Sequence, residues 1–262
     1  MSAAAHMGDA AHIGDEVHVW HRIETGEPGE PGEPDLVILS AAERARAARF
    51  ARPSDRSRYV AMHAGSRRLL ARYLGTDPGA IRFDRTPCCK CGSLEHGRPR
   101  IEWPPTTLSY NLSGSGDHWV LAVAAGRPVG VDVECLRDIN VERMADTCLS
   151  EHEQAYLAAL PDPGRLEAFF RCWTRKEAVV KACGVGLAAK LTGIDSHPER
   201  SGSLEVHHTS GSCPGTWRVD DLPSGPGWAA AVAQPAGQAG RVEYYGAEAN
   251  WPGARPGPGG PA

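Results

Sequence analysis

The stretch Val129-Gly130-Val131-Asp132-Val133-Glu134 limits the folds open to this chain more than any other segment. Its β-branched residues favour extended backbone, and along a strand the side chains at i and i+2 share a face. Val131 and Val133 therefore turn one way while Asp132 and Glu134 stand side by side on the other. Any sheet built on this strand must keep two carboxylates together. Carboxylates that close repel, and the pKa of one rises unless a cation holds both ionised. A hard divalent ion with oxygen ligands, Mg2+ above all, satisfies the pair. A half-buried edge strand with its polar face in water is the alternative.

The chain has 262 residues, enough for one large domain or two modest lobes with their own cores. A formal net charge of −4 provides no global pull toward nucleic acid or an anionic membrane, so any charged partner is held locally. There are eight cysteines, but no N-terminal apolar run resembles a signal peptide. Reduced thiols and a cytoplasmic location are therefore expected. No stretch reaches the roughly 20 apolar residues that a membrane-spanning helix needs.

Residues 1–15 are small and polar and are expected to be disordered. Glu16 to Ile23 alternates apolar and polar residues and predicts a first strand. Residues 26–34 repeat Gly-Glu-Pro, which reads as an extended, solvated linker. Leu36 to Leu39 reads as a short strand. Ser40 and Glu43 then form a capping box for a helix running to about Phe50. Pro53 breaks that helix, and Ser54 can cap a longer one over Asp55 to Leu74, closed by Gly75. Arg58, Met62, Gly65 and Leu69 share a face of it. A cation thus sits near a glycine that permits close approach, and Arg58 is either a phosphate grip or a surface arginine paired with Asp55.

Ile81 to Phe83 predicts a strand. In the next segment, Cys88-x2-Cys91-x4-His96 has three quarters of a zinc-knuckle spacing, but Ile101 at the fourth position binds no metal. Tyr110 to His118 reads as a small-residue loop whose amides can cradle an anion. Trp119 to Ala125 and Val129 to Cys135 are predicted to pair as a hairpin about Gly126-Arg127-Pro128. Ser150, with Glu153, caps a helix to Leu160. Leu166 to Cys183 carries an apolar stripe of Phe169, Phe170, Trp173 and Val180 and stops at Gly184. Trp173, Glu177 and Lys181 recur every four residues on one face, where an exposed Glu–Lys pair is the plain reading. Leu187 to Ile194, Ser203 to His208, Thr216 to Val219, Gly227 to Ala233 and Arg241 to Tyr245 predict antiparallel strands. Trp251 to Ala262 is too poor in apolar residues to fold.

Taken together, Gly130-Val131-Asp132-Val133-Glu134 and Trp173-Thr174-Arg175-Lys176-Glu177-Ala178-x-x-Lys181-x-x-Gly184-x-Gly186-Leu187 closely resemble the paired signature of the 4′-phosphopantetheinyl transferases, in particular the larger surfactin-synthetase-activating (Sfp) type. Asn111-Leu112-Ser113-x-Ser115-Gly116 and Gly97-Arg98-Pro99 resemble two further motifs of that family, in the same order. The resemblance spans roughly residues 16 to 245. It implies an α+β fold of two similar lobes related by a pseudo-twofold axis, each with antiparallel strands packed on a long helix. An N-terminal lobe over 16–126 and a C-terminal lobe over 127–246 would be followed by a disordered tail over 247–262. Coenzyme A would lie between the lobes.

The implied activity is Mg2+-dependent transfer of the phosphopantetheine arm of coenzyme A to a serine of an acyl or peptidyl carrier protein, releasing 3′,5′-ADP. The implied partners are carrier proteins of polyketide, peptide or fatty-acid synthases, with the enzyme a monomer and neither nucleic acid nor membrane involved. By motif position, Asp132, Glu134 and Glu177 hold the metal. Lys181 faces the pyrophosphate and is catalytic together with Glu177, the candidate base for the carrier serine. Arg58, Arg98, Ser113 and Gly114 fall at coenzyme A positions. Gly114 is a departure, because the family usually has a histidine between the two serines of this motif. A non-catalytic module that binds coenzyme A or a carrier protein is the alternative function.

Overall fold

In the computed structural model, residues 13–24, 32–94, 97–186, 189–209, 215–223 and 225–247 are described. Two 22-residue helices dominate them, α3 (Pro53–Leu74) and α6 (Asp162–Cys183). Each stops at a glycine in the left-handed region, Gly75 (φ 60°) and Gly184 (φ 76°), where a side chain would be strained. Four shorter helices complete the set: α1 (Glu33–Ile38), α2 (Ala41–Ala47), α4 (Val141–Cys148) and α5 (Glu151–Ala158). Both predicted capping boxes form, Ser40 with Glu43 on α2 and Ser150 with Glu153 on α5.

The strands form two four-stranded sheets and a ribbon. The first sheet has the order β10-β1-β5-β4, with β1 (Val17–Ile23), β4 (Leu108–Ser115), β5 (His118–Ala125) and β10 (Val242–Tyr245). The second has the order β6-β9-β8-β7, with β6 (Gly130–Cys135), β7 (Ser203–His208), β8 (Gly215–Asp221) and β9 (Trp228–Pro235). The ribbon pairs β2 (Arg82–Arg85) with β3 (Pro99–Trp103). All pairings are antiparallel except β1 with β10.

The strand period of two decides how these sheets stack. One face of the first sheet packs Trp20, Trp119, Leu121 and Val123 against Leu69, Leu70 and Tyr73 of α3. One face of the second packs Val206, Val219, Ala231 and Ala233 against Ala178, Val179 and Ala182 of α6. The remaining faces meet each other, with Val17, Val19, Val120 and Ala122 against Val131, Val133 and Val232. The order is helix, sheet, sheet, helix, an α+β arrangement in which each sheet carries one long helix. Val131 and Val133 are fully sequestered, and burying each contributes about 1.5–3 kcal/mol to seating β6.

Several predicted elements differ. Leu36 to Leu39 is not a strand: Pro34 and Asp35 in the first turn start α1 there, and the helix takes in Glu33 and Pro34, the last two residues of the predicted extended linker, whose residues 26–31 lie outside the described residues. The α3 helix begins at Pro53 with Arg52 as its cap, so Ser54 is not the capping residue. Tyr110 to Ser115 is strand, not loop. The predicted hairpin does not form, because β5 pairs with β1 and β4 while β6 pairs with β9. Arg127 holds the crossing point, with its guanidinium bonded to the Asp15 and Glu16 carbonyls and to Gln234. Between Val185 and Ile194 the described residues hold a short 3-10 turn and one isolated bridge instead of a strand. Ile13 is buried in the first core, so the disorder expected over 1–15 does not extend to it. β10, assigned by sequence to the C-terminal lobe and an antiparallel pattern, lies parallel to β1 in the first sheet. Cys89 is disulfide-bonded, against the expectation of reduced thiols throughout, whereas Cys88, Cys91, Cys135, Cys148, Cys172 and Cys183 are in no disulfide. His96 and residues 251–262 lie outside the described residues.

Candidate active site

Gly130 sets the distance between β6 and α6. A Cβ there would lie 2.1 Å from the Ala178 carbonyl oxygen and 2.5 Å from the Ala182 amide nitrogen. Residues 130, 132 and 134 share a face, so the same approach brings Glu177 and Lys181 of α6 over Asp132 and Glu134. Lys181 does not pair with Glu177, as a surface i,i+4 pair would. Its Nζ donates to Asp132 Oδ1 (2.6 Å), Ser113 Oγ (2.9 Å) and the Val131 carbonyl (3.3 Å).

A second strand fixes the acids from the side. β4 and β6 are edge strands of different sheets, and side chains join them. Asn111 Oδ1 accepts the Val131 amide (3.0 Å), and Ser115 Oγ accepts the Cys135 amide (3.1 Å). Ser113 donates to Asp132 Oδ1 (2.8 Å), and Ser115 donates to Glu134 Oε2 (2.8 Å). Asn111, Ser113 and Ser115 are spaced i, i+2, i+4, so one face of β4 supplies the whole row. Sequence reasoning missed Asn111 and Ser115 as supports of the acids. The signal was the period-two spacing of polar residues inside what read as a loop.

The electrostatics suit a cation. Asp132 is buried, and desolvation pushes its carboxyl above the ordinary carboxylate range against the opposing pull of Lys181 and Ser113. Glu177 is also raised, first by burial and then by the charge of Asp132, with Glu134 adding a smaller push. Arg137 bonds Glu134 Oε2 at 2.7 Å. Asp132 Oδ2 is buried without any hydrogen-bond partner. Such an oxygen is costly to leave unmatched, and a metal ion would match it. The three carboxylates do not draw their oxygens into one tight group. Among the described residues, the set of acid, histidine or cysteine donors within 4.8 Å of one another is His152, Asp195 and His197. An ion that keeps several waters and binds one or two carboxylates directly suits this looser spacing, and Mg2+ does so. The donor chemistry and the unmatched oxygen therefore fit Mg2+.

Beside this cluster, a cavity of about 380 Å³ is lined by Arg46, Arg58, Tyr59, Met62, Gly114 and His118 among others. Arg58 reaches Asp117 (2.6 Å) and Asp55 (3.3 Å), as the reading of a surface arginine paired with Asp55 has it, and it also lines this cavity. Gly65 does not open this space, because the Trp119 ring occupies the approach that its missing side chain allows. Ser113 faces the acids. Arg98 does not line the cavity; it lies against Gly184 and donates to the Ala182 carbonyl (3.4 Å), near the C-terminus of α6.

The model of the 4'-phosphopantetheinyl transferase superfamily matches residues 128–233, the span that runs from β6 through α6 to β9. The 4'-phosphopantetheinyl transferase HetI of Nostoc sp. (strain PCC 7120 / SAG 25.82 / UTEX 2576) is 36% identical over 177 residues, covering 66% of this chain and 71% of HetI. The chain belongs to the 4'-phosphopantetheinyl transferase superfamily. It is therefore an enzyme of group transfer, and both core motifs, Asp132-x-Glu134 and Glu177-x3-Lys181, fall inside the matched span. AcpT of Escherichia coli O157:H7 is 39% identical over 115 residues, covering 44% of this transferase and 57% of AcpT. Sfp of Bacillus subtilis (strain 168) is 26% identical over 197 residues, covering 74% and 81% of the two chains. No helix among the described residues of the transferase is long and apolar enough to cross a membrane.

Proposed function

We propose that this transferase moves the 4′-phosphopantetheine arm of coenzyme A to a serine hydroxyl of an acyl or peptidyl carrier protein, with Mg2+ held by Asp132, Glu134 and Glu177, one or two of them directly and the rest through the ion's waters, and that 3′,5′-ADP leaves. The observation that carries this reading is the buried, unmatched Asp132 Oδ2 among three acids and a lysine. When bound, Mg2+ would neutralise charge on the pyrophosphate, which is the main need of a phosphoryl-type transfer. The protein groups supply the rest.

Glu177, with its raised pKa, is suited to take the proton from the carrier serine as the serine oxygen attacks the phosphorus. Lys181 has three donors, all engaged, and the Val131 carbonyl is its longest contact. Giving up that contact lets Nζ meet the charge that develops on the departing ADP. Ser113 and Ser115 keep Asp132 and Glu134 oriented. The cavity beside Gly114 would take the nucleotide end, with Arg58 turning from Asp117 to its 3′-phosphate. Similarity to Sfp over most of both chains supports a transferase of that type; we further take it to act as a cytoplasmic monomer on carriers of natural-product synthases.

The test is incubation of the transferase with an apo carrier protein, coenzyme A and Mg2+, followed by intact mass analysis. A carrier gaining one phosphopantetheine supports the proposal. Coenzyme A binding without any mass gain, across fatty-acid, polyketide and peptide carriers, replaces it with a binding module.

A further inference from the structure

A second cluster of metal-type donors lies between the start of α5 and the loop after the 3-10 turn. His152 Nδ1 is 2.9 Å from Asp195 Oδ2, and His197 Nδ1 is 3.9 Å from Asp195 Oδ1. One donor atom from each of the three residues lies within 4.8 Å of the other two. Glu199 borders both rings, 3.7 Å from His152 Nε2 and 3.5 Å from His197 Nδ1. Donors about 2.0–2.1 Å from a common zinc ion stand about 3.4 Å apart, so no pair in this set has to close by more than about 1.4 Å.

The loop is built to stay where it is. Ser196 is fully buried, and its amide and hydroxyl both donate to Glu153 Oε1, at 2.8 and 2.6 Å. Glu153 is itself buried and ion-paired with Lys176 of α6. Arg175, also on α6, donates to the carbonyls of Ser196, His197 and Arg200 at 2.7–2.8 Å. Arg171 holds the Pro198 carbonyl at 3.0 Å. His197 has φ 52°, a conformation uncommon for a residue with a side chain. It is kept in this conformation by bonds to its backbone and leaves its ring at the surface beside that of His152. Pre-set ligands on a fixed frame are what a metal site requires.

We propose that His152, Asp195 and His197 bind a borderline first-row divalent cation, Zn2+ above all, with Glu199 or water completing the sphere and the ion clamping α5 to the 195–200 loop. Two imidazoles select against Mg2+, which prefers oxygen. Two carboxylates beside two neutral imidazoles match the charge of a divalent ion. This site shares no residue with the acids of β6 and stands whether or not they hold Mg2+.

The test is calorimetric titration of chelator-treated full-length protein with ZnCl2 in saturating Mg2+, alongside His152→Ala, His197→Gly and Asp132→Ala. Glycine at 197 keeps the left-handed backbone accessible, and His152 is exposed, so both variants retain the fold. Loss of a group that merely hydrogen-bonds a ligand already costs about 10–100-fold in metal affinity, so loss of a ligand costs at least as much. The expected result is one Zn2+ bound by wild type and by Asp132→Ala that is weakened at least about tenfold in His152→Ala and in His197→Gly. Equal stoichiometry and affinity in wild type and both histidine variants overturns the proposal, as does an absence of Zn2+ binding by wild type.

Discussion

Replacing Gly130 by alanine tests the geometry on which the whole site rests. The added methyl would stand 2.1 Å from the Ala178 oxygen and 2.5 Å from the Ala182 nitrogen, whereas ordinary contact begins at 3.4 Å. Both obstacles are helix backbone, so no side-chain rotation relieves them, and α6 must retreat by about 1.3 Å. Overpacking of this kind costs about 1–3 kcal/mol, read as a lowered midpoint in urea unfolding. The retreat also carries Glu177 and Lys181 away from Asp132. Misplacement by about 1 Å lowers turnover on the order of 10²-fold, read by carrier-protein mass analysis. A second change, Ala182→Gly, removes a methyl 3.0 Å from the new one but leaves both backbone contacts, so it does not rescue the variant. Gly130→Ala with unchanged turnover and a stability within about 0.5 kcal/mol of wild type would refute the argument.

Three further outcomes are expected. Asp132→Ala leaves the fold intact but lowers turnover on the order of 10²-fold or more, and unchanged turnover at limiting Mg2+ counts against the assigned role. At Gly114 an added Cβ would stand 2.7 Å from the Met62 sulfur and in ordinary contact with the His118 carbonyl oxygen (3.5 Å) and Trp119 Cβ (3.6 Å), so the flexible Met62 side chain must shift; Gly114→His is expected to tighten coenzyme A binding, and a calorimetric titration showing no difference retires the idea. His21 is held neutral, its pKa lowered from 6.5 to about 4 by burial first and by His118 and Arg22 after it. Its contribution to stability is present above pH 6.5 and is lost as the pH falls toward about 4, because the unfolded chain takes up the proton first. His21→Gln should flatten the stability profile across that window, and an unaltered slope would count against a neutral His21.

How much of this was legible depends on whether local pattern and tertiary need agreed. In β6, alternating valines and acids gave the strand and its two faces directly, and the core took the valines as expected. In α6, the apolar stripe and Gly184 fixed the helix, and the four-residue spacing put Glu177 and Lys181 on one face. The partner of Lys181 was not legible, because Asp132 lies 49 residues away and only the close approach at Gly130 brings them together. β4 was misread because Ser, Gly and Asn suggest a turn by composition; the strand is imposed by β5 on one side and by the needs of β6 on the other. The hairpin error came from pairing sequential strands, a fair default that the buried Arg127 defeats by sending β6 into the other sheet.

The parallel pairing of β10 with β1 has a consequence for how the molecule is made. A ribosome would deliver the first sheet with one flank bare and hold it so until residues Val242–Tyr245 emerged. Cutting the gene between β5 and β6 would accordingly yield two fragments, one with an unprotected border that invites self-association and the other with a strand that has nowhere to dock.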